Sequence, residues 1–425
     1  FFWLPLAATW VMMAMEGPFL AALIARLADP KFNLAAYGVA FALAILIEAP
    51  VIMLMSAATA LVVDGHSYRK LRTFTFGLSA LATGLLLLVL FPPVYGWVGT
   101  TVMGLPSEVS ELMYGALWFF LPWPAAIGYR RFLQGVLIRS GRTRLVAYGT
   151  VIRIMVMSIT AIVLYVGFSI PGAWVAAAAL GAGVTAEAAA GRWMAAATIR
   201  ELLLQPDTNV PGRAPLGYRS IARFYYPLAL TSVIGLAAQP MLTFFMGRSL
   251  APIESLAVFP VVHALSFMFR ALGLSFQEAA IALLGDDHEH GPELGRFGLW
   301  LGLASSVGLG AVAFTPLAGI WFETVSGLTP ELAAFAVIPT MILVPLPALS
   351  VLLSFQRAVL VKGHRTHPIT VATTIEVLGI ALLFVVFGWG VGLVGVTAAF
   401  LAFLGGRVAG NVYLIRKCAR VLGQR

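Results

Sequence analysis

Long apolar runs separated by short polar interruptions fill the chain from one end to the other. The runs are twenty-odd residues long and lie at roughly 3–26, 36–63, 73–95, 112–138, 145–167, 172–198, 224–247, 253–284, 296–321, 332–360, 367–388 and 392–415. At a helical rise of about 1.5 Å per residue, each can cross a hydrocarbon core about 30 Å thick. Helices are the expected form, because open strands in lipid leave backbone N–H and C=O groups without partners. The pattern thus predicts an all-α polytopic membrane protein with about 12 transmembrane helices.

The longest polar interruption, "IRELLLQPDTNVPGRAPLGYRSIARF", carries Pro206, Pro211, Pro215, Gly212 and Gly217 and divides the runs six and six. It reads as a cytoplasmic linker over 199–223, between an N-terminal six-helix lobe at 1–198 and a C-terminal one at 224–425. The two sides echo one another in order. "FFWLPLA" matches "RFYYPLAL", "RFLQGVLIRSGRTRLVAYGTVIRI" matches "LSFQRAVLVKGHRTHPITVATTIEV", and "GFSIPGAWVAAAALGAG" matches "GWGVGLVGVTAAFLAFL". The offset is nearly constant, 222 from Pro5 to Pro227 and 223 from Thr143 to Thr366. Six spans per half give both copies one orientation, a parallel internal repeat of the kind found in transporter halves.

Composition agrees: 60% of residues are hydrophobic and 11% charged, with a mean hydropathy of +0.94, against about 25% charged residues in an ordinary soluble domain. The net charge of +9 is mostly a matter of topology. Lys and Arg number 17 in the loops after even-numbered spans and the C-terminal tail, and only Arg26, Lys31 and Arg248 stand in the opposite set. By the positive-inside rule the former loops and both termini are expected in the cytoplasm, in a bacterial-type inner or plasma membrane. No soluble stretch is long enough to place basic and aromatic residues on one nucleic-acid-binding surface, so the bilayer is the expected partner. Cys418 alone provides neither a disulfide framework nor a metal site, and no cleavable signal peptide is read.

Ionisable residues within the spans are costly unless they face protein or water, and they mark candidate function. Glu48 lies roughly 18 Å from the outer end of its helix. The repeat offset carries it to Arg270, and carries Arg153 to Glu376, so two positions are charged in both halves with opposite sign. Equal depth allows these groups to pair across the lobes, as a gate, a binding site or a static tie. In the eighth span His263, Phe267, Arg270, Leu274, Gln277 and Glu278 fall on one helical face. Glu16 precedes Gly17-Pro18, where a kink would free a carbonyl beside a carboxylate. A sodium ion or a proton is therefore expected at Glu16, Glu48, His263 or Glu278, with no other cofactor and no bound metal. Arg130, Arg131 and Arg357 lie roughly 12 to 14 Å deep or in the matching zone. Their forked donors suit carboxylate and phosphate oxygens, which favours a small anionic substrate. Snorkelling to the headgroups is the alternative for these three.

The stretches "PLAATWVMMAMEGPFLAALIARL", "AAYGVAFAL", "FYYPLAL" and "GLVGVTAAFLAFLGG" leading to "YLIRK" resemble the multidrug/oligosaccharidyl-lipid/polysaccharide flippase superfamily, which includes the MATE exporters. Within it they more closely resemble the progressive ankylosis (ANK) family. That resemblance implies export of pyrophosphate, nucleotide or citrate-like anions by alternating access through a cleft between residues about 1–200 and 220–425. It also implies a first-helix glutamate, at Glu16. Two other readings are a sodium- or proton-coupled MATE-like exporter of organic cations and a lipid-linked precursor flippase. An enzyme is not expected. No P-loop pattern occurs, and "GDDHEHGPE", with Asp286, Asp287, His288 and His290, reads as a solvated turn.

Overall fold

In a computed structural model, residues 3–204, 216–285, 289–363, 365 and 367–422 are described. The first half contains α1 (Trp3–Ala14), α2 (Glu16–Ala25), α3 (Pro30–Ile52), α4 (Leu54–Leu61), α5 (Gly65–Leu90), α6 (Pro92–Gly96), α7 (Ser107–Phe119), α8 (Trp123–Arg139), α9 (Thr143–Gly167), α10 (Gly172–Met194) and α11 (Ala196–Leu204). The second contains α12 (Tyr218–Leu236), α13 (Ala238–Met246), α14 (Pro252–Leu283), α15 (Gly291–Phe314), α16 (Leu317–Gly319), α17 (Pro330–Ile342), α18 (Leu346–Lys362), α19 (His367–Phe384) and α20 (Gly395–Leu422). π-Helical segments occupy Trp97–Val102, Ile320–Val325 and Val385–Gly390.

Among the described residues nine helices are long and apolar enough to span a bilayer, and α17 with α18, bent by 43°, forms a tenth candidate. Their outward faces suit lipid. On α9 the side chains of Ile159, Ile162, Val163 and Val166 are more than half exposed, which water would penalise and hydrocarbon does not. The protein is an integral, multi-pass membrane protein. Other runs predicted from the sequence are broken helices. The first divides at Met15, since Pro18 cannot donate to the Ala14 carbonyl one turn earlier. Bonds from Met15 N–H to Val11 O (3.1 Å) and from Phe19 N–H to Met15 O (3.0 Å) carry the helix through the break. The seventh divides at Ala237, three residues before Pro240.

The repeat extends to element boundaries. α7 and α17 have 13 residues each and α8 and α18 have 17, with the same three-residue break between them. Pro122 and Pro345 end those breaks in closely similar backbone conformations. Left-handed residues recur in register as well, Asp29 with Ala251 and Gly104 with Gly327. Residues 199–204 and 218–223, read from sequence as linker, are helical, while 205–215 lie outside the described residues.

Contacts divide the chain into two compact units whose membership differs from that of the halves. Unit 1 is Phe1–Gly38, Met103–Val109 and Met241–Arg425; unit 2 is Val39–Val102 and Ser110–Pro240. In unit 1, α2 and α3 approach α14 at two glycines: a Cβ at Gly17 would lie 3.1 Å from Ala264 Cβ, and one at Gly38 3.2 Å from Pro260 Cγ. Within unit 2, Phe74 packs on Tyr225 of α12 with ring centroids 5.3 Å apart, and the Tyr225 hydroxyl donates to the Pro50 carbonyl. That carbonyl sits in the helix interior one turn before Leu54, beside the α3–α4 break at Met53.

Candidate functional site

Each unit buries one cluster of charged side chains. In unit 2, α8 supplies Arg130 and Gln134, one turn apart on the same face, and Arg131 about 100° away. The opposing helix α4 comes close because α8 has glycine at 135, where a Cβ would lie 2.5 Å from Ala58 Cβ. Glu187 of α10 is the hub: its Oε2 accepts from Arg130 Nη1 at 2.6 Å and its Oε1 from Gln134 Nε2 at 3.1 Å. Arg153 Nε of α9 stands 3.6 Å from the same Oε2. These four residues are at most 8% exposed. A carboxylate in that setting is tenable only because guanidiniums surround it, and the converse holds for them.

Glu48 enters this cluster from α3. It is 3% exposed, its Oε2 has no hydrogen-bond partner, and Arg130 and Arg131 act on it electrostatically. Arg131 places Nη1 3.8 Å from Met55 Sδ, a weak acceptor.

Unit 1 holds the counterpart. Arg407 of α20 donates from Nε to Glu376 Oε1 of α19 at 2.8 Å, and its Nη2 stands 2.7 Å from the same oxygen as an ion pair. Glycine at 406 permits the helices to meet there, a Cβ at that position falling 2.6 Å from the Glu376 carbonyl oxygen. Arg270 of α14 donates from Nε to Ser350 Oγ at 3.3 Å, lies 5.2 Å over the Phe403 ring, and leaves Nη1 buried without a hydrogen bond. Arg357 of α18 reaches Thr373 Oγ1 at 3.4 Å. Both feel the charges of Glu376 and Arg407.

Arg153 and Glu376, equivalent in the repeat, are therefore each matched with opposite charge in their own unit, Arg153 beside Glu187 and Glu376 under Arg407. The sequence shows Glu187 and Arg407 as charges within the spans, and no role for either follows from it. Each lies on the helix that follows its partner across a short loop, and that proximity is the available signal.

The remaining candidates on α14 form its partly exposed face. His263 packs between the rings of Phe259 (5.7 Å) and Phe403 (6.3 Å), Gln277 is half-buried, and Glu278, exposed, accepts from Trp10 Nε1 at 3.3 Å. Glu16, half-buried, opens α2 and acts electrostatically on buried Tyr37 of α3. Asp286, Asp287 and His288 lie outside the described residues, and His290 precedes α15. Among the described residues no group of three His, Cys, Asp or Glu side chains is placed to hold a metal ion.

No protein-family model matches the chain, and no curated protein matches it in sequence. Solved structures do match in fold. A multidrug resistance MATE family transporter of the MOP superfamily, inward-facing, aligns with TM-score 0.75 and 14% identity over 98% of this chain and 95% of its own. The lipid II flippase MurJ, inward closed, aligns with TM-score 0.75 and 15% identity over 99% and 90%. The MATE multidrug transporter DinF-BH gives 0.72 and 13% over 100% and 96%. At these identities the likeness is one of fold: a polytopic all-α membrane protein with the MATE-type arrangement of helices.

Proposed function

We propose that this protein is a secondary transporter that exports a small organic or phosphate-containing anion, of the pyrophosphate, nucleotide or citrate class, by alternating access between its two repeated halves. The reading places it in an inner or plasma membrane with both termini cytoplasmic, and it follows the resemblance to the ANK family. One observation carries it. Six buried or half-buried guanidiniums, Arg130, Arg131, Arg153, Arg270, Arg357 and Arg407, stand against four buried or half-buried carboxylates, Glu16, Glu48, Glu187 and Glu376. Such an excess within a bilayer is costly until an anion neutralises it. Arg270 and Arg357 bond only to hydroxyls in the contacts described above, so they are the groups an anion would engage first. While the site is empty, Glu376, already bound to Arg407, would supply the nearby negative charge for these arginines, and an anion would compete with it. Glu16 or Glu48 would take the coupling proton or sodium ion.

A second reading, a sodium- or proton-coupled exporter of organic cations, is favoured by the buried Glu48 oxygen that lacks a hydrogen bond. Proteoliposome uptake of labelled pyrophosphate, ATP and citrate, beside a cationic dye, separates the readings. Anion uptake that falls about 10- to 100-fold in Arg270→Gln, the loss of one or two charge-assisted hydrogen bonds, supports anion export. Gradient-driven dye transport that persists in Arg270→Gln overturns it in favour of the cation exporter. Movement of a labelled lipid-linked diphosphate alone makes the protein a flippase.

A further inference from the structure

Two of the three basic residues outside the basic loops lie over a left-handed glycine of the other half. Arg26, just past the end of α2, donates from Nη2 to the carbonyl oxygens of Thr324 (2.6 Å) and Val325 (2.9 Å) and from Nη1 to Ala22 O (2.7 Å). Thr324 and Val325 close the π-helical segment Ile320–Val325, where carbonyls lack intrahelical donors and the helix dipole is negative. The turn that follows seats the guanidinium on Gly327: its φ is 71°, and a Cβ there would come within 2.9 Å of Arg26 Nη1. The second arginine, Arg248, just past the end of α13, lies over Gly104 in the same way. Gly104 has φ 65°, and its Cβ would meet Arg248 Cζ and Nη1 at 3.3 Å.

The correspondence is written in the sequence. Arg26 begins "RLADP" and Arg248 begins "RSLAP", 222 residues apart, while the receiving turns read "TVMGL" at 101–105 and "TVSGL" at 324–328, 223 apart. Each arginine belongs to one half and its glycine seat to the other. The short stretch Met103–Val109 belongs to unit 1 along with Gly247, whose Cβ would lie 2.6 Å from Met103 O. Lys31 and Glu254, paired at 2.5 Å at the same end, likewise join one half to the other within unit 1.

We propose that Arg26 and Arg248 are reciprocal latches that hold this end of the protein closed, each reaching from the first span of one half to the turn after the π-helical segment of the other, and that opening here requires their release. The role in transport rests on the function proposed above; the latch itself is read without any cargo. The test uses the full chain with Cys418→Ser as background and spin labels at Ala28→Cys with Glu323→Cys, or at Leu250→Cys with Ser107→Cys. Arg26→Gln should give the first pair a new distance component longer by roughly one helical turn, about 5 Å. Arg248→Gln should do so for the second pair. Gly327→Ala, whose Cβ crowds the Arg26 guanidinium without removing it, and Arg248→Lys, which keeps the charge and loses the forked donors, should give the same components and decide the matter if either glutamine variant fails to fold. Unchanged distances in folded variants overturn the proposal, and so does a fall in unfolding temperature without a change in distance, which would make the arginines static caps. New distance components in the variants, together with no uptake of any labelled anion by the wild type, would count against the transport reading and leave the latch standing.

Discussion

Arg407 holds one oxygen of Glu376 from two guanidinium nitrogens, at 2.8 Å and 2.7 Å, across the α19–α20 hairpin. The equivalent hairpin of the first half, α9–α10, has its arginine on the first helix and its glutamate on the second, with Arg153 3.6 Å from Glu187. The ion pair has been retained and its polarity reversed. Glu187 differs in one further way, since it also binds Arg130 and Gln134.

That difference ranks two substitutions. Glu376→Gln strands Arg407, and breaking a buried pair from one side costs about 3–5 kcal/mol. Glu187→Gln deprives two guanidiniums of their counter-charge and is expected to cost more. Thermal unfolding in detergent should order the variants as wild type, Glu376→Gln, Glu187→Gln. Adding Arg407→Gln to Glu376→Gln should recover part of the loss, and a double-mutant cycle with no coupling would rule out the pair as a stabilising contact.

Close approach of α8 and α4 depends on the missing side chain at Gly135. Gly135→Ala would force the helices apart or displace Ala58 and Met55, at a typical overpacking cost of about 1–3 kcal/mol. Unfolding midpoints compared with Gly141→Ala would isolate packing, because Gly141 has open space around it but a positive φ of 71°, so its cost is conformational. Equal midpoints for wild type and Gly135→Ala would contradict the observed contact.

Glu48→Gln keeps the size of the side chain and removes its charge. If Glu48 carries the coupling ion, substrate exchange between the two faces at equal concentrations should persist while gradient-driven accumulation disappears. Parallel loss of both activities would instead assign Glu48 a structural role as counter-charge to Arg130 and Arg131.

Tyr95, in α6, lies five residues past the end of the spanning helix Gly65–Leu90. Burial pushes its phenol up to about 12, its hydroxyl donating to the Ser110 carbonyl. The folded state thus favours the neutral form more than the unfolded chain does. Its contribution is complete below the ordinary value of about 10 and is lost as pH rises from there through about 12. Tyr95→Phe should flatten that alkaline decline in stability; a wild-type decline of unchanged steepness in the variant would assign it to other groups.

Much of the fold could be read in advance because hydrocarbon thickness sets run length and Pro or Gly sets the breaks. Glu16-Gly17-Pro18 and Gln239-Pro240 each stand at a divided helix, and the repeat offset placed Arg153 and Glu376 at matching points of α9 and α19. Partners were harder. Offset and depth do not give rotation about the helix axis, so nothing in the text of the sequence aimed Glu376 at Arg407 or Arg153 at Glu187. The membership of the compact units was also hidden: apolar runs do not say which helices meet, and contacts such as Gly17 of α2 on Ala264 of α14 are made by small residues that carry no signature of their partner. Arg26 and Arg248 counted only as loop charges in the orientation argument.

The reversed polarity of the two hairpins means that the halves are no longer spare parts for one another. A chain assembled from two first halves would carry Arg153 and Glu187 twice and would lose Arg270, Arg357 and Arg407 together. The two halves, alike in helix lengths and breaks, thus bring different charges to the interior of the membrane, and neither supplies the set that the other carries.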